Sequence, residues 1–374
     1  MCTSLVYKDA AGKAYFGRTL ELTVALPYQL VVFPKGAQCA SEVAGHPAVT
    51  FERRRDFVAI TMPGRLPTTA APLGPDDLKV IEGMNDQGLS FSLLSYPSAG
   101  GAQSLDMTQA ALAASDLGGW ILGSFATVAE VRAGLERQPV LLEPLAMLGG
   151  AVSPFHYVAH DPSGAALVIE FTKGVMRLFD NPVGVMTNGP EFDWHLTNLN
   201  NYTFLSNVDR SSATFGALAA QQPDSGIATA GLPSSSTSVG RFVRAVYYAQ
   251  YTEKAANPDA AVRTLAHIMN NFDRPRGVSI DCSANGGGGL EVQGLKAGDG
   301  EAYATEFTSW TSMSDLERKL FFVRDYNGLN FVSVDLTTLA GLDAPRVVPL
   351  AKIVDQAGDV SRILAAASVA QPHS

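Results

Sequence analysis

Short apolar runs that alternate with polar positions open the chain and predict a β-hairpin. Residues 3–8 are rich in β-forming side chains, residues 9–12 (DAAG) have the composition of a turn, and residues 14–21 form a second such run. Two runs of this kind on either side of a Gly-containing turn are typical of antiparallel strands. Further strands are predicted at 30–33, 57–61 and 89–94.

The spacing of apolar positions then changes and predicts two successive helices. The first runs from about residue 105 to 122 with Asp106 as its cap, and the second begins at Thr127 and ends near residue 137. Thr127 and Glu130 have the spacing of a capping box, which satisfies the free N–H groups of a first helical turn. Later helices are predicted at 239–253 and 258–271.

The remaining segments return to strand patterns. A hairpin is predicted at 155–180, and strands at 318–324 and 329–336 flank a turn at 325–328 (DYNG). Strands that pack against segregated helices indicate a layered α+β fold. The stretch 223–238 is rich in Ser, Pro and Gly, and we interpret it as a surface loop rather than a boundary. We therefore expect one domain over 1–374.

Composition and charge limit the class of partner. The 374 residues are 46% hydrophobic and 17% charged, which is typical of a globular protein, and the net charge is −9. The chain is acidic, and its basic cluster consists of only three adjacent arginines at 53–55. Both features argue against a nucleic-acid partner. No stretch reaches the about 18 apolar residues that cross a bilayer. The three cysteines have no metal-ligand spacing, so we expect no metal and no cofactor.

Cys2 is the first candidate for chemistry. Methionine aminopeptidase removes Met1 when the next side chain is small, and Cys2 would then carry a thiol and a free α-amine on one residue. An α-amine and a thiol ordinarily titrate close to neutral pH, so the pair supplies both a nucleophile and a base. The alternative interpretation is that Cys2 is a small apolar residue at the start of a strand.

The predicted hairpin brings two charged residues back toward Cys2. Arg18 would favour the thiolate through its nearby positive charge. Glu21 would accept a hydrogen bond from the α-ammonium. The alternative is that both are surface residues on an edge strand.

Several motifs resemble the choloylglycine hydrolase family, which contains bile salt hydrolases, penicillin V acylases and related N-acyl amide hydrolases. The matching segments follow the family order from residue 2 to about residue 250: MCTS at 1–4, GRTLE at 17–21, EGMNDQGL at 82–89, TNGPEFDWHLTNLNNY at 187–202, GLP at 231–233 and RFVRA at 241–245. The resemblance implies the four-layer αββα sandwich of N-terminal nucleophile hydrolases, with 2–374 as the mature chain.

The resemblance also implies roles for individual residues. Cys2 would attack an amide carbonyl, the Asn188 side chain and the backbone N–H of Ser95 would donate to the oxyanion, and Arg18 and Arg241 would be active-site arginines. Two positions depart from the usual pattern, because Glu21 replaces Asp and Gly240 replaces Ser. The extra methylene of Glu21 moves its carboxylate outward.

Two apolar segments, 61–66 and 145–149, are candidates for an acyl pocket. Met62, Leu145, Met147 and Tyr96 are the predicted substrate-binding residues, with no fixed charge for a carboxylate-bearing acyl group. Core packing is the alternative for each of them. The departures at Glu21 and Ser95 resemble the penicillin V acylase and acyl-homoserine-lactone acylase branch, so a conjugated bile salt is the alternative substrate of the same mechanism.

Two other classes stay open at this point. One is a Cys–His hydrolase that uses Cys39 or Cys282, although neither has a recognisable partner motif. The other is a non-catalytic binding protein on the same fold. We also expect a small-molecule N-acyl amide as the partner, no membrane association, and a homo-oligomer, specifically a tetramer. The expected location is the cytoplasm, or the periplasm if Met1 replaces a removed signal peptide.

Overall fold

The computed structural model describes residues 1–71, 73–101, 103–281, 304–353 and 358–367. Two large sheets account for most of the strands. In chain order these are β1 (Cys2–Lys8), β2 (Ala14–Leu22), β3 (Gln29–Phe33), β4 (Phe57–Pro63), β5 (Leu78–Asn85), β6 (Ser90–Ser95), β7 (Phe155–His160), β8 (Ala166–Thr172), β9 (Val175–Asp180), β10 (Val185–Met186), β11 (Phe307–Asp315), β12 (Leu320–Asp325), β13 (Val332–Asp335), β14 (Arg346–Pro349) and β15 (Gly358–Asp359).

The helices are short apart from two. They are α1 (Leu117–Ser124), α2 (Val128–Leu135), α3 (Phe192–Asn198), α4 (Ser238–Tyr251), α5 (Pro258–Asn270) and α6 (Ser361–Ala366). Small two-stranded pairs complete the described structure: Gln38–Ser41 with Val49–Glu52, Leu112–Ala113 with Val140–Leu141, Pro144–Leu145 with Ala151–Val152, Ser212–Phe215 with Leu218–Gln221, and Ile280–Asp281 with Ala304–Thr305.

The first sheet contains the start of the chain. Its strand order is β10-β1-β2-β11-β12-β13-β15, so β1 has a hydrogen-bonded neighbour on each side. The predicted hairpin is confirmed: β1 and β2 pair antiparallel, with Cys2 opposite Leu20 and Ser4 opposite Arg18. This register carries residues 18–21 back to the neighbourhood of Cys2.

The second sheet has the order β9-β8-β7-β6-β5-β4-β3-β14 and packs face to face against the first. The period-two alternation of strand side chains divides the core. In β3, Leu30 and Val32 face the first sheet, whereas Val31 faces the opposite side and belongs to the cluster that contains Leu117 and Ile121 of α1.

Helices cover the outer faces of both sheets. α4 and α5 pack against β1 and β2, and α1 packs against β5 and β6. The molecule is therefore an αββα sandwich of four layers, which confirms the α+β fold predicted from the sequence. Among the described residues, no helix has the length and apolar character that crossing a membrane requires.

The helix predicted at 105–122 is wrong over most of its length, because α1 begins only at Leu117. Asp106 does not cap a helix; its carboxylate accepts a hydrogen bond from the N–H of Thr108, 2.8 Å away, within a turn. The N–H of Ala113 donates to the Ser41 hydroxyl, and the N–H of Ala114 donates to Glu143. Side chains from distant parts of the chain thus accept hydrogen bonds from backbone N–H groups that a helix would have paired internally.

The other helices follow their sequence signals closely. Thr127, Thr237 and Asn257 each accept a hydrogen bond from a first-turn N–H group, as N-cap residues do. The predicted helix at 239–253 is α4 and that at 258–271 is α5. The loop predicted at 223–238 lies at the surface before α4 and contains one short 3₁₀ turn.

Candidate active site

Cys2 is the first residue of β1 and lies at the end of the first sheet, where its side chain is 3% exposed. Its backbone N–H donates to Oδ1 of Asn188 at 2.9 Å, although the two residues are 186 positions apart. Within the described residues, no histidine forms a hydrogen bond with the Cys2 sulfur. Arg18 is the residue that does.

Arg18 links the two sheets beneath Cys2. It projects from β2, is fully buried, and places Nη2 3.3 Å from the Cys2 Sγ. Its Nη1 lies 3.2 Å from the carboxylate of Glu82 on β5 of the second sheet. Burial alone would lower the pKa of Arg18, but the facing Cys2 sulfur and Glu82 raise it, so the guanidinium stays charged. A fixed cation beside a thiol favours the thiolate.

Glu82 is a buried charged residue of the site that the sequence analysis did not single out. It is fully buried, accepts from the Ser92 hydroxyl, and forms the ion pair with Arg18. Burial raises the pKa of Glu82 to about 7, and Arg18 opposes that shift. The available signal was an acidic residue inside an otherwise apolar strand, at the start of the EGMNDQGL segment.

Arg241 and Asn188 form the other wall beside Cys2. Arg241, in the first turn of α4, donates from Nη1 to the Cys2 carbonyl oxygen and to the Thr3 hydroxyl, and from Nη2 to Asn188 Oδ1 at 2.7 Å. Asn188 in turn donates from Nδ2 to the Ser95 carbonyl oxygen at 2.7 Å. Because Oδ1 accepts from two donors, the orientation of the Asn188 amide is determined by its partners.

The departure at Gly240 has a steric explanation. A Cβ added at Gly240 would lie 2.6 Å from the Ser235 hydroxyl oxygen and 2.8 Å from the Ser235 carbonyl oxygen. The loop that precedes α4 passes too close for a serine at this position. Glycine at position 240 therefore fits the close approach of the loop, and Arg241 keeps its position beside Cys2.

Two further residues hold the backbone of Asn188. Its N–H donates to the Ser238 hydroxyl at 2.9 Å, and its carbonyl oxygen accepts from Nε2 of His195 at 2.9 Å. Burial lowers the pKa of His195 to about 4, so at neutral pH it is an uncharged imidazole that donates through Nε2. His195 lies within the segment 187–202, but its type and spacing alone did not indicate this role.

Glu21 is buried next to the site, and with Met1 in place its carboxylate has a different partner from the Cys2 α-ammonium that is expected after Met1 removal. The Met1 ammonium donates to the Glu21 backbone carbonyl oxygen at 2.5 Å, whereas the carboxylate accepts from the Thr308 hydroxyl at 3.3 Å. A bulge between Leu20 and Glu21 shifts the register at this point and redirects the side chain. Burial raises the pKa of Glu21, and Arg241 opposes the shift.

A cavity of about 460 Å³ opens onto the Cys2 and Arg18 side chains. Met62, Leu145 and Met147 line it, as the sequence predicted for an acyl pocket. Pockets of this size suit small organic ligands.

The prediction that Tyr96 lines the cavity is wrong. Ser95, the last residue of β6, faces the cavity, and the next side chain along the chain points to the other side. Tyr96 is fully buried and stacks on His156, with the ring centroids 4.7 Å apart and the planes 5° from parallel.

The cavity wall also contains charges that the sequence did not place there. Lys79 forms an ion pair with Asp116, and the carboxylates of Glu42 and Glu143 lie in the same wall. Fixed carboxylates outnumber the single lysine in this part of the cavity.

Cys39 is separate from this site. Its sulfur lies 3.5 Å from Nη2 of Arg53, in a different cavity on the far side of the second sheet. Cys282, the other internal cysteine considered above, lies outside the described residues. Among the described residues, no cluster of His, Cys, Asp and Glu is arranged to hold a metal ion.

Solved structures share this fold. A mutant conjugated bile acid hydrolase from Clostridium perfringens superimposes with a TM-score of 0.76 at 21% identity, covering 93% of this chain and 96% of its own. Penicillin V acylase from Agrobacterium tumefaciens gives 0.72 at 21% identity, covering 99% and 98%. Both superpositions show that the chain has the same four-layer αββα fold as these proteins.

The family follows from the sequence comparison. The model for linear amide C–N hydrolases, choloylglycine hydrolase family, matches residues 2–285, and the chain belongs to that family. Among curated relatives, a bile salt hydrolase/transferase of Lactiplantibacillus plantarum is 24% identical, covering 90% of this chain and 92% of the relative. A conjugated bile acid hydrolase of Lactobacillus acidophilus is 27% identical, covering 75% and 84%. The protein is a hydrolase of carbon–nitrogen bonds in linear amides.

Proposed function

We propose that the protein hydrolyses N-acyl amides through the Cys2 thiolate and a thioester acyl-enzyme. The observation that carries this proposal is the 3.3 Å contact between Arg18 Nη2 and the Cys2 sulfur at one end of an apolar cavity. A fixed cation at this distance stabilises the negative charge that develops on the sulfur as the thiol gives up its proton, and the thiolate is the reactive form of cysteine.

The reaction begins once Met1 has been removed, which converts the Cys2 backbone nitrogen into an α-amine. The sulfur attacks the substrate carbonyl, the amine carries the thiol proton to the leaving nitrogen, and the C–N bond breaks to leave a thioester. Water then attacks the thioester, gives a proton back through the amine, and releases the acid. The Asn188 Oδ1, 2.9 Å from the Cys2 nitrogen, orients the amine for these transfers.

The oxyanion would be stabilised by two donors. Asn188 Nδ2 has two N–H groups, and only one is needed for its bond to the Ser95 carbonyl, so the other can donate to the developing charge. The second donor is the backbone N–H of Ser95. Arg241 and Glu21 would position this arrangement, Arg241 by holding Asn188 Oδ1 and the Cys2 carbonyl together.

Replacing Asn188 by Ala should lower kcat by about 10²–10³, the usual effect of losing one oxyanion donor, with a smaller change in KM. Steady-state kinetics on the preferred substrate measure this. Asn201→Ala, which changes an exposed amide after α3, is the matched control and should retain full activity. Equal kcat in wild type and Asn188→Ala would contradict the role proposed for Asn188.

For the substrate, we propose an apolar or aryloxyacyl amide, penicillin V-like or acyl-homoserine-lactone-like. The apolar wall formed by Met62, Leu145 and Met147 gains roughly 25 cal/mol for each Å² of acyl surface that it buries. The departures at Glu21 and Ser95 support this branch over conjugated bile salts. Conjugated bile salts, for which the Lactiplantibacillus plantarum and Lactobacillus acidophilus relatives are named, are the alternative.

A hydrolysis panel of penicillin V, N-acyl homoserine lactones, taurocholate and glycocholate tests the substrate. We expect the highest kcat/KM for one of the first two. A tenfold preference for a bile salt, about 1.4 kcal/mol of transition-state discrimination, would reverse the order and leave the Cys2 mechanism in place. Absence of hydrolysis across the panel would favour a non-catalytic binding role.

We also propose that the protein assembles as a homotetramer. The hairpin formed by Ser212–Phe215 and Leu218–Gln221 is exposed along its length, and Phe215 and Leu218 are 68% and 63% exposed. Exposed large apolar side chains concentrated on one projection mark an interaction surface. Light scattering in solution should give the mass of four chains, and a monomer mass would contradict the assembly.

A further inference from the structure

A second cavity of about 320 Å³ lies behind the wall of the acyl cavity. Five residues line both cavities and form a shared wall: Ala40, Lys79, Val80, Ser115 and Asp116. Ala40 and Ser115 are small, and Val80 lies within β5. The long, flexible side chain in the shared wall is that of Lys79, and Asp116 holds it in place.

The ion pair between Lys79 and Asp116 spans this shared wall. Lys79 is on β5, and Asp116 directly precedes α1. Asp116 is anchored, since its other carboxylate oxygen accepts from the Ser41 hydroxyl at 2.8 Å. The lysine stem packs over Gly64, where an added Cβ would lie 2.9 Å from Lys79 Cε.

The second cavity is suited to an apolar tail. Phe33, Phe51, Phe57 and Leu78 line it. Arg53 also lines it, but its guanidinium lies over the Phe33 ring, 5.0 Å from the centroid, and Nη1 donates to a backbone carbonyl. The charge of Arg53 is thus already engaged. Polar side chains, among them Gln38, Cys39 and Asp76, share the lining with the apolar ones, and the apolar ones offer the contact surface for a tail.

The distance from Cys2 to the Lys79–Asp116 pair determines the length of acyl chain that reaches the pair. Lys79 lies three residues before Glu82 on β5, and Glu82 contacts the same Arg18 that holds the Cys2 sulfur. At about 3.3 Å per strand residue, this separation is roughly 10 Å. A straight acyl chain of medium length, attached at Cys2, therefore ends close to the ion pair.

We propose that the Lys79–Asp116 pair sets the upper limit of acyl-chain length by closing the acyl cavity against the second one. A longer chain can enter the second cavity only by displacing Lys79, which breaks the ion pair with Asp116 and brings an apolar chain beside its carboxylate. This proposal rests on the proposed function, because it concerns the acyl group of the same reaction.

The test is a kcat/KM series for N-acyl homoserine lactones from butanoyl to dodecanoyl. We expect wild type to lose activity beyond the medium lengths, and Lys79→Ala to raise the dodecanoyl-to-hexanoyl ratio by at least about tenfold. Lys79→Arg keeps the ion pair and should keep the wild-type profile. Lys13→Ala removes an exposed lysine that pairs with Glu317, away from both cavities, and is the matched control.

An unchanged ratio in Lys79→Ala, with normal activity on short chains, would overturn the proposal. If Lys79→Ala does not fold, Lys79→Met keeps the stem over Gly64 without the charge and should raise the ratio in the same direction. A binding measurement separates this inference from the proposed function. Calorimetric Kd values for hexanoate and dodecanoate should show dodecanoate gaining affinity in Lys79→Ala relative to hexanoate, even if no amide in the series is hydrolysed. No relative gain would likewise overturn the proposal.

Discussion

Replacing Cys2 by Ser is expected to lower kcat/KM by about a thousandfold or more, the scale on which losing a nucleophile acts, and to leave the fold intact. Serine is close in size to cysteine, so the tightly packed end of β1 accommodates it. A serine hydroxyl is far less acidic than a thiol, and the charge of Arg18 at 3.3 Å cannot ionise it at neutral pH. Hydrolysis assays together with a thermal melting curve measure both parts of the prediction.

The internal cysteines are the controls for this experiment. Cys39→Ala should retain activity, because the Cys39 sulfur contacts Arg53 and the Ala37 carbonyl oxygen rather than the cavity beside Cys2. Cys282→Ala should also retain activity. An inactive Cys39 or Cys282 variant together with an active Cys2→Ser would show that the nucleophile has been assigned to the wrong residue.

An uncleavable residue placed before Cys2 is expected to lower turnover by a similar factor, again about a thousandfold or more. With Met1 in place, the Cys2 nitrogen is a backbone amide whose N–H donates to Asn188 Oδ1, and an amide nitrogen does not accept a proton. Met1 also lines the acyl cavity and occupies space at the nucleophile.

Measuring the reactivity of the Cys2 thiol distinguishes loss of the base from damage to the nucleophile. The extended protein should still react with a small alkylating agent at Cys2, because Arg18 stays beside the sulfur. Normal turnover by an extended chain, verified by its intact mass, would show that the α-amine is not the base.

Local signals in the sequence were sufficient for the hairpin and for the arginine that it carries. The turn at 9–12 fixes the register of β1 and β2, and that register alone returns Arg18 and Glu21 toward Cys2. Side-chain direction was less predictable. At Tyr96, the alternation of side chains along the strand turned the ring away from the cavity that it was expected to line.

Long-range partners could not be derived from spacing. Asn188 and Arg241 lie 186 and 239 positions from Cys2, and the resemblance to a family indicated them. Glu82 contacts Arg18 of the other sheet, His195 contacts the backbone of Asn188, and Lys79 contacts Asp116 before α1. No local pattern in the sequence encodes these contacts. The failure of the helix predicted at 105–122 has the same origin, because acceptors from Ser41 and Glu143 took its backbone donors.

Peptide mapping of the acyl-enzyme tests the central claim most directly. The wild-type protein would be mixed with a rapidly cleaved substrate such as penicillin V, quenched in acid during turnover, digested, and analysed by mass spectrometry. We expect an N-terminal peptide that begins at Cys2, lacks Met1 and carries the acyl group. An acyl group found instead on the peptide of Cys39 or Cys282, or an active enzyme that retains Met1, would contradict it.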